Sequence, residues 1–318
     1  MGFTDWLLYR LARRWRTSSN TPQRLGVPVG TEAYEDAYAL DQFNQKVRRG
    51  LQIAVFGREV LEVGCGHGGI SCYLAAVGAR RVVGVDINPK SLKRARAFRR
   101  RLREQMGRRG PLPVAFARMS ACDLRFPADS FDLVVADNAV EHFLDVEGVL
   151  LESFRVLRPG GEFLAPIFSS IYSRDGLHLK HGLKMPWANV FFSERTIVKA
   201  MERLAREDPR LYDLYPGLRQ APTRVRDLRP HKDLNDVTYG AFRAMARRVG
   251  FEVVWFRPNA TLLGKLVERL PILRTSVLMD VLSQGASALL RKPAPAAGPT
   301  AGGPANAEAE RRQPACRP

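Results

Sequence analysis

Gly64, Gly66 and Gly69 follow the run Val60-Leu61-Glu62-Val63, so a buried strand leads into a glycine turn and the turn into a helix. Glycines at such a turn let the backbone approach a ligand, and their G-x-G-x-x-G spacing is also that by which dinucleotide enzymes hold a pyrophosphate. Asp86 closes the next apolar run, Val82-Val83-Gly84-Val85, twenty residues beyond Gly66. A carboxylate placed there accepts hydrogen bonds from both ribose hydroxyls of a bound nucleoside. These features alone suit a nicotinamide cofactor as well as any other nucleoside. What tilts the choice is Glu62 before the first glycine, Cys122-Asp123-Leu124 after a third apolar run, and Phe131-Asp132-Leu133-Val134-Val135-Ala136-Asp137 as a fourth.

Proton transfer would fall to histidine, whose ordinary pKa suits a base acting on a hydroxyl. His142 directly follows the fourth run in Asn138-Ala139-Val140-Glu141-His142, where a positioning role competes with that of a base. His178 and His181 stand three apart in Gly176-Leu177-His178-Leu179-Lys180-His181, and a helix would put both on one face. No third ligand follows at a recognisable spacing, so no metal site is expected. His67, inside the glycine turn, reads as a loop residue facing solvent or a ligand's edge.

The elements that must position these groups are short apolar strands alternating with helical stretches, the pattern of βαβ units and a parallel sheet. Strands are expected over Val60–Val63, Arg81–Asp86, Val114–Met119, Phe131–Asp137 and Glu162–Phe168. Leu92, Ala95, Phe98, Leu102 and Met106 recur at helical spacing and form an inward stripe. After Phe168 the rhythm stops, and Ser169 to about Asp236 is polar and longer than an ordinary connection. Regular pattern resumes with a helix over Tyr239–Val249, a strand over Phe251–Phe256, a helical stretch over Leu262–Leu282 broken at Pro271, and a strand over Ala286–Arg291.

The ordered set of motifs, completed by Leu157-Arg158-Pro159-Gly160-Gly161-Glu162-Phe163, resembles the class I S-adenosylmethionine-dependent methyltransferases, in particular the type 11 group with its quinone, sterol and natural-product methylases. The resemblance runs from about Val60 to Phe168 and resumes in the closing strand, helix and strand. It implies an α/β Rossmann-like fold with a seven-stranded, mostly parallel sheet, an antiparallel last strand and helices on both faces. It implies S-adenosylmethionine as cofactor, with Gly64 and Gly66 against its methionine and ribose, Asp86 on the ribose hydroxyls, Ile87 on adenine, Asp123 accepting from the adenine amino group and Glu62 near the cofactor's own amino group. Cys65, Leu124 and Asn138 complete the implied lining. The cofactor bears an ammonium and a sulfonium and no phosphate, so carboxylates around it help.

The chain of 318 residues reads as an N-terminal helical lid over 1–50, a cofactor-binding core over 51–168, a substrate cap over 169–237, the rest of the core over 238–291 and a disordered tail over 292–318. The tail's Pro/Ala/Gly composition buries too little apolar surface to order itself. Four cysteines without a CxxC pair disfavour a disulfide scaffold and favour a reducing, cytoplasmic setting. No apolar run approaches the roughly 20 residues of a membrane span. Lysine and arginine exceed acids by 50 to 32, a net charge of +18 that favours anionic partners. The basic face between Lys90 and Arg109 reads as a solvated helix; its only aromatic, Phe98, points inward, so no nucleic-acid partner is expected. In Phe3–Trp15 the stripe Phe3, Leu7, Leu11, Trp15 is expected to pack on the protein body, with peripheral contact to an anionic membrane as the lesser reading. The expected activity is methyl transfer to a small molecule, favouring oxygen or carbon on a lipophilic scaffold that Tyr172, Trp187, Phe191 and Phe192 of the cap would meet. An NAD-dependent oxidoreductase and a non-catalytic cofactor-binding adaptor are the rivals.

Overall fold

The computed structural model describes residues 2–14, 33, 37–41, 43–44, 55–107, 112–174, 176–177, 179, 182–183, 185–228, 234–260, 264 and 277–295. The expected tail beyond 295 and the helical stretch around Pro271 lie outside them. In chain order the described elements are α1 (Phe3–Arg14), β1 (Glu59–Val63), α2 (Gly69–Ala76), β2 (Arg81–Asp86), α3 (Pro89–Gln105), β3 (Val114–Arg118), β4 (Phe131–Val135), α4 (Val146–Val156) and β5 (Leu157–Phe168). There follow α5 (Ala188–Phe191), α6 (Glu194–Glu207), α7 (Leu211–Leu214), α8 (Tyr239–Val249), β6 (Glu252–Ala260), α9 (Val277–Val281) and β7 (Ser283–Arg291). Short 3-10 turns stand at Val140–His142, Pro216–Gln220 and Val225–Leu228.

The strands form one seven-stranded sheet in the order β3-β2-β1-β4-β5-β7-β6. The first five run parallel, and β7 enters antiparallel between β5 and β6. This is the expected α/β class. Both faces are covered because the strands alternate two apolar sets. Leu61, Val63, Val83, Val85 and Val134 meet Val149 and Leu150 of α4 and Phe242 and Ala246 of α8. Val60, Val82, Leu133 and Val135 meet Leu74 of α2 and Leu92 and Phe98 of α3.

Helix α3 starts where Asn88 caps it, its side chain accepting from the amides of Lys90 at 2.9 Å and Ser91 at 3.4 Å, with Pro89 in the first turn. Leu92, Ala95, Phe98 and Leu102 are buried as their spacing requires, but Met106 caps the helix and is exposed. Its basic face is more than a solvated one. Arg99 donates to the Val114 carbonyl at 2.7 Å and Arg96 to that of Phe116 at 3.0 Å, so both satisfy acceptors along β3, the sheet's edge strand. Charged groups on an edge block pairing with another chain.

Strand ends depart from expectation. β5 starts at Leu157, β6 continues to Ala260 and β7 begins at Ser283, because pairing extends them: Phe131 with Leu157, and Ala260 with Ser283. Lys292, read as the first tail residue, exchanges backbone hydrogen bonds with Gly160 and Gly161, and its Nζ lies 2.7 Å from Asp129.

A third apolar cluster joins Leu8, Tyr9 and Ala12 of α1 to Ile197, Met201 and Leu204 of α6 and to Leu218 and Leu228. So α1 packs through Asp5, Leu8, Tyr9 and Ala12, not through the Phe3, Leu7, Leu11 stripe. The reason is polar: α6 offers Lys199 to Asp5 at 3.0 Å, Glu207 to the Tyr9 hydroxyl, and the Arg203 guanidinium 3.8 Å above the Tyr9 ring. Trp15 lies outside the described residues.

Candidate functional site

The C-terminal ends of β1, β2 and β4 converge on the glycine turn. Gly64 has φ +70 and Gly66 φ +50, a left-handed backbone that glycine adopts without a steric penalty. A Cβ on Gly66 would meet open space, whereas one on Gly64 would stand 3.0 Å from the Ala139 Cβ and 3.5 Å from the Phe143 ring. The turn after β4 is therefore pressed against the glycine turn, while Gly66 presents its backbone to an unfilled region.

Asp86 is half-buried at the end of β2. One carboxylate oxygen accepts from the Gly66 amide at 2.9 Å and the other from the Asn88 amide at 2.8 Å. Each oxygen keeps a lone pair for a further donor. Ile87, next in the chain, exposes 65% of its surface, an apolar side chain available beside a carboxylate. Glu62 is buried under the turn and accepts from the Ser71 hydroxyl of α2.

Cys65 turns its side chain into the core against Gly84, and burial, with Glu62 and Asp86 adding, pushes its thiol well up. It has backbone, not a thiolate, to offer a ligand. Asp123, in the turn beyond β3, has its carboxylate 70% exposed, 3.8 Å from Arg125. Leu124 follows Asp123 in the chain. Its side chain lies in the core, its amide donates to Glu152 at 2.8 Å, and its carbonyl accepts from Arg155 at 2.6 Å. Asn138, with φ +53, is exposed at the end of β4, its amide held by the Ile167 carbonyl at 2.7 Å.

His142 closes the 3-10 turn after β4, half-buried, while His178 and His181 lie outside the described residues. Among the described residues no group of three or more His, Cys, Asp or Glu is arranged to hold a metal ion. His67 meets the edge of Tyr38, ring centroids 6.4 Å apart, so a residue from the N-terminal segment stands over the glycine turn.

Sequence reasoning missed Asn235. Its side-chain amide donates to the carbonyls of Val140 at 2.7 Å and Phe143 at 2.8 Å, and its backbone amide to that of Glu141 at 2.9 Å. One residue near the end of the expected cap thus fixes the turn that carries Glu141 and His142. No periodicity marks such a role; only its neighbourhood in space does.

Glu141 is buried, and desolvation pushes its carboxyl up to about 7, with His142 opposing and Asp137 adding. The folded value lies above the ordinary one, so the folded chain holds this proton more tightly than the unfolded chain does. The group's contribution is then most favourable below about pH 4.5 and is lost as pH rises through about 7, a change of about 3 kcal/mol. Glu141→Gln is expected to melt higher than wild type at pH 8 and to converge with it near pH 5, read by calorimetry. A variant that melts lower at both values would show that the carboxylate's contacts outweigh its burial.

A positively charged nucleoside fits this donor set. Asp86 keeps acceptor capacity for a diol, the Glu62 carboxylate lies under the turn where an ammonium or sulfonium would be favoured, Asp123 exposes an acceptor beyond β3, and a Cβ on Gly66 would meet no neighbour.

Residues 61–165 match a family model described as "Methyltransferase domain". The chain is 37% identical over 107 residues to a sterol 24-C-methyltransferase of Aspergillus fumigatus, covering 34% of this chain and 27% of that protein. It is 33% identical over 141 residues to a fatty-acid O-methyltransferase of Mycolicibacterium smegmatis, covering 44% and 47%. The chain thus spans less than half the length of either relative. A crystal structure of an S-adenosylmethionine-dependent methyltransferase from Mesorhizobium loti superposes with a TM-score of 0.47 at 19% identity, covering 78% of this chain and 97% of that one.

Proposed function

We propose that this chain, whose residues 61–165 match a methyltransferase-domain model, is a class I S-adenosylmethionine-dependent enzyme that methylates oxygen or carbon on a lipophilic small molecule. The observation that carries the cofactor site is Asp86, which holds the Gly66 amide and keeps acceptor capacity at the end of β2. When bound, S-adenosylmethionine supplies a methyl carbon already activated by its sulfonium, so alignment provides most of the acceleration. Asp86 accepts from the ribose hydroxyls, Ile87 covers the adenine, and Asp123 faces its amino group. Gly64 and Gly66 admit the rest of the molecule to the turn, with Glu62 beneath them and Asn138 at the rim.

His142 takes the acceptor's proton where the acceptor is a hydroxyl, and Asn235 holds the turn that presents it. The lipophilic acceptor is supported by likeness to a sterol and a fatty-acid methyltransferase, and by the aromatic residues Tyr172, Trp187, Phe191 and Phe192 after β5. Their segment follows the C-terminal edge at which open α/β sheets bind ligands.

Tritiated S-adenosylmethionine incubated with the protein and a sterol, a fatty acid or a small polar amine tests the proposal. Label is expected in the organic extract of a lipophilic acceptor, with His142→Ala lowering turnover while cofactor affinity stays within about threefold. Label confined to the polar amine would overturn the acceptor class. Cofactor binding without transfer to any acceptor would favour the adaptor instead.

A further inference from the structure

Helix α1 is arranged with its larger apolar residues outward. Its inward face is Asp5, Leu8, Tyr9 and Ala12, all buried against α6 and its neighbours. On the opposite side Phe3 is 73% and Trp6 43% exposed, their ring centroids 6.2 Å apart. Arg10 sets its guanidinium 5.5 Å from the Trp6 ring, and Arg13 is exposed one turn further, with Glu207 3.8 Å away. Helical spacing puts Phe3, Trp6, Arg10 and Arg13 on one side. The helix's single acid, Asp5, is turned inward onto Lys199.

An ordinary surface helix does the reverse, burying its aromatics and exposing its acids. Here the polar groups of the inward face are taken up by α6, which frees the aromatic and cationic side. The two helices run parallel, since Asp5 meets Lys199 near the start of α6 and Arg13 meets Glu207 at its end. Phe3 therefore stands at the end of the pair from which α5 leads in, where Val190 is also exposed.

We propose that the outward face of α1, with Phe3, Trp6, Arg10 and Arg13, is a docking surface for an anionic phospholipid bilayer. Phe and Trp rings enter the boundary between headgroups and acyl chains, and arginines one turn away meet lipid phosphates. Among the described residues no helix is long and apolar enough to cross a membrane, so the contact is peripheral. Charge favours this occupant: the helix offers no outward acid, and the whole chain carries +18. The surface is independent of the methyl-transfer reading.

The test is co-sedimentation of the full chain with vesicles of phosphatidylcholine alone and of phosphatidylcholine mixed with phosphatidylglycerol. The wild type is expected to sediment with the mixed vesicles and to remain in solution with the neutral ones. Phe3→Ser with Trp6→Ser, and separately Arg10→Glu with Arg13→Glu, should each weaken partition by about tenfold or more. S-adenosylmethionine affinity should be unchanged, since these side chains lie outside the packed face. Equal partition of wild type onto both vesicles, or of both variants and wild type onto the mixed vesicles, overturns the proposal. So does a wild type that ignores the mixed vesicles yet is retained on duplex DNA.

Discussion

Asp86→Ala is expected to weaken S-adenosylmethionine binding at least about tenfold in calorimetry. Two losses combine. The carboxylate's proposed bonds to the ribose hydroxyls would be lost, each a hydrogen bond to a charged group worth about 1.5–3 kcal/mol. The Gly66 and Asn88 amides also lose the oxygens they now donate to at 2.9 and 2.8 Å, so the turn itself loosens. Asp86→Asn keeps shape and part of the acceptor capacity and should fall between. Unchanged affinity in the alanine variant would remove Asp86 from the cofactor site.

Gly68→Ala is expected to destabilise the core rather than spoil the site. Gly68 has φ +77 and forms the left-handed start of α2, and an added Cβ would lie 2.6 Å from the Phe116 ring and 2.8 Å from the Ala95 Cβ. A left-handed alanine costs about 1–2 kcal/mol and an overpacked core about 1–3 more. For a chain of this size the melting temperature should drop by roughly 10 °C. Gly66→Ala shares the positive φ but meets open space, so it should melt closer to wild type and lose cofactor affinity instead. Matching melting curves for wild type and Gly68→Ala would mean that α2 and α3 pack less closely than described.

These contrasts show what was legible from sequence. The strands were, because each is a short apolar run whose residues alternate between two cores; pairing lengthened β5, β6 and β7, while β3 and β4 stop one and two residues short of their apolar runs. The place of Asp86 at the end of β2 was legible for the same reason, since a charged residue closes an apolar run. The packed face of α1 was not. Its apolar stripe pointed one way, and the decision was made by Lys199, Arg203 and Glu207, residues far along the chain whose partners no periodicity reveals. The hold of Glu152 and Arg155 of α4 on the Leu124 backbone was not legible either. Asn235 carries no signal of its own, because a clamp on three carbonyls is a fact about neighbours in space. The same applies to Arg96 and Arg99, which look like part of a charge run until β3 is seen beside them.

The most direct measurement is a parallel calorimetric titration of the full chain with S-adenosylmethionine and with NADH. The glycine turn, Asp86 and an adenine-facing Asp123 suit both kinds of site, but only the first ligand brings positive charge to the turn above Glu62 without a pyrophosphate. Saturable binding of S-adenosylmethionine, with no heat from NADH, is the predicted result. Saturable binding of NADH while S-adenosylmethionine gives none would contradict it.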